Sequence, residues 1–216
     1  MSGQTRSERQ QSGGHRREED RGWRVIGTLP FAAMVFVLVN ALYIFLVALG
    51  NLTDYGTNFA FVQHVLSMDT TNFGQPEGQG LDPDVMWRAI DNPVMWNLGY
   101  IGIILAESLA AVLLIIALVH FVRALFGSAA FDAARRWASI GLVVIVLIFA
   151  GGFIAMGGEW FQMWRSTSWN GLDPAIRNAM LAGIGLVLLH LPSPAWQKRA
   201  VNGDSRTDPL AEAPQP

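Results

Sequence analysis

Apolar residues along this chain gather into four long blocks, and charged residues lie mainly between them. Residues 25–53 contain no Asp, Glu, Lys or Arg. The block at about 95–122 contains one acidic residue, Glu107, and no Lys or Arg. The block at 137–156 is uncharged, and the shorter one at 175–191 carries Arg177 near its start. A hydrocarbon core of ~30 Å is crossed by about 20 apolar residues at 1.5 Å per residue. Backbone groups cannot stay unpaired in hydrocarbon, and no period-two alternation suggests a barrel. The pattern therefore predicts an all-α membrane protein: a four-helix transmembrane bundle with spans at about 25–49, 95–122, 137–156 and 175–191. The first block is too long for a signal-peptide core and follows a polar stretch, so it reads as a retained helix.

The polar segments supply the rest of the architecture. Residues 1–22 are Ser-, Gly-, Gln-, Arg- and Glu-rich, and the end of the 193–216 segment is rich in Pro, Asp and Ala. Both read as disordered tails flanking a membrane domain at 23–192. Residues 50–94 and 157–174 form loops on one side. In the first, Phe61, Val65 and Met68 share a helical face with Val62 and Leu66 beside it, which predicts an amphipathic helix over Phe59–Met68. A second helix is expected over Leu81–Ile90, with Asp82 as its cap and Pro83 following. Short amphipathic helices would thus cap the extracytoplasmic side. Asn92-Pro93 and Asp173-Pro174 pair a capping side chain with a proline at the first helical position, and would open the second and fourth spans.

Charge sets the expected orientation. Twelve of the 15 basic residues lie in the N-terminal tail, the connection between the second and third spans, and the C-terminal tail, which share one side in a four-span topology. The positive-inside rule places both termini in the cytoplasm. Trp23, Trp137 and Trp196 fall at inner span ends, and Trp96 and Trp160 at outer ends, where indole rings favour the headgroup layer. Of the 216 residues, 51% are apolar and 15% charged, well below the ~25% charge of soluble domains. The near balance of 15 basic and 17 acidic residues gives no case for nucleic acid as a partner. The absence of cysteine excludes disulfides, thiolate metal sites and cysteine nucleophiles. No phosphate-binding glycine loop or serine elbow appears.

Three groups of residues bear on function. Glu107 lies near mid-membrane, where a charge costs at least ~2.5–3.5 kcal/mol on insertion scales. It must face the bundle, take a proton or find a partner, and Asn40 in the first span is the expected partner. A proton or ion site, or a ligand contact, stands against an interhelical packing bond worth roughly 0.6–2 kcal/mol. On the outer face, Asp54, His64, Asp69 and Glu159 offer carboxylates and one imidazole to a divalent metal, although their spacing matches no established ligand set. They also read as caps and hydrogen bonds that knit the loops. Asn58, Trp160, Trp164 and Trp169 complete this outer cluster. His120 and His190, near the inner ends of their spans, are the pair that a bis-histidine haem would need, but such histidines are more often interfacial. No cofactor is expected from these patterns. Gly151-Gly152, Gly157-Gly158, Gly183 and Gly185 allow close helix packing, and self-association with it.

Asn51-Leu-Thr-Asp-Tyr-Gly-Thr-Asn-Phe-Ala-Phe-Val-Gln-His-Val-Leu-Ser-Met-Asp69, with Gly158-Glu-Trp-Phe-Gln-Met-Trp164 and Trp169-Asn-Gly171, resembles the predicted small integral membrane proteins of domain-of-unknown-function family 2165. The resemblance covers about Trp23–Leu191. It implies a bacterial, four-span protein of the inner membrane and lends no catalytic residues. The leading functional expectation is a non-enzymatic structural, accessory or binding component of the membrane, with the lipid bilayer and other membrane subunits as partners. The alternatives are a small transporter or proton-coupled carrier using Glu107, and a membrane enzyme with an outer carboxylate–histidine metal site.

Overall fold

A computed structural model describes residues 25–127 and 129–197. Of the expected tails at 1–22 and 193–216, residues 1–22 and 198–216, with the Trp23 boundary, lie outside them, while Pro194–Trp196 forms a 3₁₀ helix. The described residues form helices and turns, with no strand among them. Helix α1 is Leu29–Thr53, α2 is Tyr55–Ser67, α3 is Pro93–Phe126 and α4 is Asp132–Val146. A π-helix, Leu147–Trp160, continues α4, and α5 is Leu172–His190. Four of these units are long and apolar enough to cross a membrane: α1, α3, α4 with its π-helical extension, and α5. Each turns large apolar side chains outward, among them Leu42, Leu105, Leu147 and Val187. Exposed apolar surface on this scale requires lipid rather than water around it.

The inward faces follow helical spacing. Ala33, Val37, Ala41, Ile44 and Ala48 are buried on α1, Ala110, Leu114, Ala117 and Phe121 on α3, and Ala134, Ala138, Leu142 and Ile145 on α4. Ala175, Ala182 and Leu189 line α5. The small residues let backbones approach closely. Helices α1, α3, α4 and α5 pack in that order around a ring, α5 returning to α1, so α3 and α5 occupy opposite corners.

One end of the bundle holds the described chain ends and the α3–α4 connection. There Phe131 meets Trp196 at 5.5 Å, ring centre to ring centre, and the Arg135 Nε donates to the Leu189 carbonyl at 2.8 Å. The other end carries a cap formed by α2 and the two loops. Ile90 N–H donates to the Leu66 carbonyl, Phe73 N–H donates to the Arg165 carbonyl, and the Thr70 and Ser166 hydroxyls share a hydrogen bond.

Several element boundaries differ from the sequence expectation, each for a local reason. Helix α1 runs past Leu49 to Thr53. The expected helix at 81–90 is a turn and a short 3₁₀ helix, Met86–Arg88. Asp82 Oδ1 accepts from the Asp84 N–H, and the Ile90 N–H is spent on Leu66, so a continuous helical ladder cannot form. Asn92 caps α3 as expected, its side chain accepting from the Val94 and Met95 N–H groups. Asp173 does not cap α5. The helix starts at Leu172, two residues before Pro174, the Leu172 N–H donates to the Asn170 side chain, and Asp173 falls in the first turn.

The π-helix is the largest departure. Such segments are rare and mostly single-turn, whereas this one has 14 residues. It contains Gly151, Gly152, Gly157 and Gly158, and the Phe161 N–H closes it with a five-residue bond to the Met156 carbonyl at 2.9 Å. Glycines at Gly151 and Gly152 leave space rather than contact: no side chain lies within 4 Å of a Cβ built at either.

Candidate functional site

Glu107 lies on the buried face of α3 and is 2% exposed. Its partner is Asn51, not Asn40: the Asn51 Nδ2 donates to the carboxylate at 2.6 Å. The Asn40 amide is satisfied within its own helix, donating to the Phe36 carbonyl at 2.8 Å. Asn51 belongs to the last turn of α1, ten residues past the middle of that helix, or about 15 Å along it. Glu107 is therefore level with the cap end of α1, not with its centre as expected.

The network continues outward. The chain reverses at Asp54 and enters α2, which brings Asn58 back over the end of α1. Asn58 Nδ2 donates to Asn51 Oδ1 at 2.6 Å. Asn51 is buried and Asn58 exposed, so two amides connect the buried carboxylate to the surface of the cap. Only one carboxylate oxygen is engaged among the described residues, leaving Glu107 Oε1 with acceptor capacity.

Asn51, Asn58 and Glu107 line one cavity of about 190 Å³ between α1, α2, α3, the π-helix and the start of α5. Five aromatic residues share its wall: Tyr43, Phe61, Tyr100, Phe149 and Phe153. Tyr100 lies seven residues before Glu107, two turns along the same helical face. It is 1% exposed, and its hydroxyl has no hydrogen-bond partner among the described residues. A buried hydroxyl in that state forgoes a net ~0.5–1.5 kcal/mol hydrogen bond, so it is ready to bond whatever enters. Tyr43 instead accepts a hydrogen bond from the Asn178 amide at 2.8 Å.

Beside this cavity runs a groove of about 410 Å³ between α2, α3 and the π-helix. Its wall holds only apolar side chains and glycines, including Gly102 on α3 and Gly152 on the π-helix. The two spaces share Phe61, Val62, Ile103 and Phe153 as a common wall.

The outer cluster divides. His64 Nδ1 meets the Asp69 carboxylate at 2.9 Å, although the two are five residues apart. A left-handed Met68 (φ 55°) ends α2 and folds Asp69 back; the Met68 side chain is fully buried, which holds that conformation. Glu77 joins them: one ligand atom from each of the three lies within 4.8 Å of the others. Two carboxylates and an imidazole are a donor set that a divalent ion can use. Asp54 and Glu159 stand outside this group; Asp54 accepts instead from the Thr57 hydroxyl at 2.8 Å. Trp169 stacks on His64 at 4.6 Å.

Trp160 and Trp164 belong to two cationic stacks on the cap. Arg88 lies over Trp87 and Trp160, and Arg165 over Phe73 and Trp164. Arg165 also pairs with Asp82 at 2.9 Å, and that guanidinium, with the Asp84 N–H, holds the Asp82 carboxyl below its usual range. Both arginines end 3₁₀ helices of identical sequence, Met86-Trp87-Arg88 and Met163-Trp164-Arg165. That repeated tripeptide was a signal for the cap available in the sequence. His120 and His190 stand on α3 and α5, at opposite corners of the ring, and His190 is exposed and bonded to the Ser139 hydroxyl at 3.1 Å.

The family model described as predicted small integral membrane protein, DUF2165, matches residues 29–192. The chain belongs to this family. The match begins with α1 and ends just past α5, so it spans all four membrane helices and the cap, and both site cavities fall inside it. No curated protein and no solved structure matches this member of DUF2165.

Proposed function

We propose that this integral membrane protein is a non-enzymatic binding component of the bacterial plasma membrane, and that its ligand is held at Glu107. The observation that carries this reading is a buried carboxylate with a free acceptor oxygen, lining a cavity beside an unpartnered Tyr100 hydroxyl. Magnitudes weigh against packing alone. Burying a carboxylate costs several kcal/mol even after its surroundings relax. An interhelical hydrogen bond returns ~0.6 kcal/mol on average. Glutamine would make the Asn51 bond without the charge, so the acid has a use beyond that bond. The positive-inside bias supports cytoplasmic termini, with the cap and the exposed Asn58 on the opposite side.

Native mass spectrometry of protein extracted from its own membranes into mild detergent tests the reading. Wild type should retain a small lipophilic compound that Glu107→Leu loses. Wild type that carries no bound compound would overturn it. The carrier reading is favoured by the buried Glu107 carboxylate, whose amide partners Asn51 and Asn58 lie between it and one surface. Proton flux in reconstituted vesicles that exceeds empty vesicles and vanishes in Glu107→Gln would replace binding with transport.

A further inference from the structure

Resting on the reading of Glu107 as a ligand site, we infer that the ligand is a lipophilic organic cation: an ammonium head in the Glu107 cavity and a single apolar tail in the neighbouring groove.

The chemistry of the cavity wall selects the head. Its single carboxylate is Glu107, and no Lys, Arg or His lines it. A carboxylate or phosphate head would be buried against Glu107 with nothing to balance it. A cation would neutralise Glu107 and take the free acceptor oxygen in a charge-assisted hydrogen bond. The five aromatic residues of the wall add to this, because ring faces attract cations, and most strongly when water is excluded. A carboxylate among aromatic rings is the recognition chemistry of ammonium groups. The head must be small, since the cavity holds about 190 Å³.

The groove selects the tail. Its volume, about 410 Å³, falls in the range of small-molecule sites, and its wall offers no polar side chain. The groove lies directly beside the cavity, with Phe61, Val62, Ile103 and Phe153 as their common wall, so a molecule occupying both would pass between these side chains. Most of its wall belongs to membrane helices, including Gly102, Ala106, Val144 and Leu147, which suits a chain arriving from the hydrocarbon. Bare glycine and the wide π-helix keep it open: a Cβ at Gly102 would meet no atom within 4 Å.

The test uses the full-length protein in lipid nanodiscs, with dodecylamine, dodecanol and dodecanoate as probes in a competition and thermal-shift series. Dodecylamine should bind at least ~10-fold more tightly than dodecanol, and dodecanoate should not bind. Glu107→Gln should remove that ~10-fold preference while leaving dodecanol within about two-fold. Gly102→Leu should weaken both amine and alcohol, because it fills the groove. That variant places its side chain in open space and replaces a glycine within α3 by a better helix former, so it keeps the fold. Equal binding of amine and alcohol, binding of dodecanoate, or amine binding that survives both substitutions would overturn the inference. Dodecanol binding that depends on Glu107 without any amine preference would defeat the cation alone and leave the Glu107 site standing. Absence of all probe binding, together with absence of any retained compound, would defeat both.

Discussion

The two ends of the bundle use the same residue types for opposite purposes. Toward the end that holds the described chain ends, glycine and alanine bring helices into contact. A Cβ at Gly141 would lie 2.6 Å from Leu114 Cδ2, and one at Gly185 would lie 3.0 Å from Leu142 Cδ1. Phe121, Ala134 and Ala138 are fully buried there. Toward the cap, Gly102 and Gly152 face a groove, a π-helix replaces the α-helix, and buried polar groups border a cavity. At Gly141 and Gly185 a missing side chain lets helices close, and at Gly102 and Gly152 it leaves a groove, although Gly158 and Gly171 near the cap are closely packed too. What decides is whether a neighbouring helix is near enough to fill the space. Fully buried contacts such as Phe121 lie in the first half, and the buried acid and both open spaces lie in the second.

The contrast can be broken from the packed side first. Phe121→Ala removes a fully buried ring that meets Phe131 at 6.3 Å, and should cost about 3–5 kcal/mol, read as loss of stability in a denaturant titration. Phe153→Ala, on the wall shared by the two cavities, should cost less, because its surroundings are already open on one side. Next, Gly141→Val should cost about 1–3 kcal/mol by overpacking against Leu114, whereas Gly102→Leu should be neutral or stabilising. Equal costs for those two would remove the distinction between the halves. Asn51→Leu should cost about 1–3 kcal/mol by leaving Glu107 and Asn58 without their shared partner, and Asn40→Leu should cost less because only a local bond is lost. The smallest effect belongs to the cap. Asp82 has a lowered folded-state pKa, so its contribution is present above its ordinary value of 3.8 and is lost as pH falls through the lower folded value. Acid titration of Trp164 fluorescence should follow this loss, since Arg165 bridges Asp82 and the Trp164 ring, and Asp82→Asn should abolish that step.

Long blocks of apolar residues made the spans legible, because hydrocarbon leaves the backbone only one economical conformation over that length. Phe59–Met68 was legible as a helix by its spacing, and Asn92-Pro93 as a start by its chemistry. Asn51 was not legible as the partner of Glu107. It falls beyond the expected end of the first span at Leu49, and only the actual length of α1, with the reversal at Asp54, brings it to the carboxylate. Glu77 was hidden for a similar reason: a left-handed Met68 and the loop after it, not sequence spacing, carry it to His64. The π-helix left only its two glycine pairs as a trace, and these read equally well as close packing.

Read alone, the sequence establishes a membrane protein with four spanning helices and a cap, and commits one carboxylate to the interior. Those properties follow from apolar length and from the cost of charge in hydrocarbon, which act on each segment separately. Only the tertiary structure decided which amide meets Glu107, at what depth, and which cavity and groove it borders. Those depend on the register of four helices and a returning loop, and register is set by packing between segments, which no single segment contains.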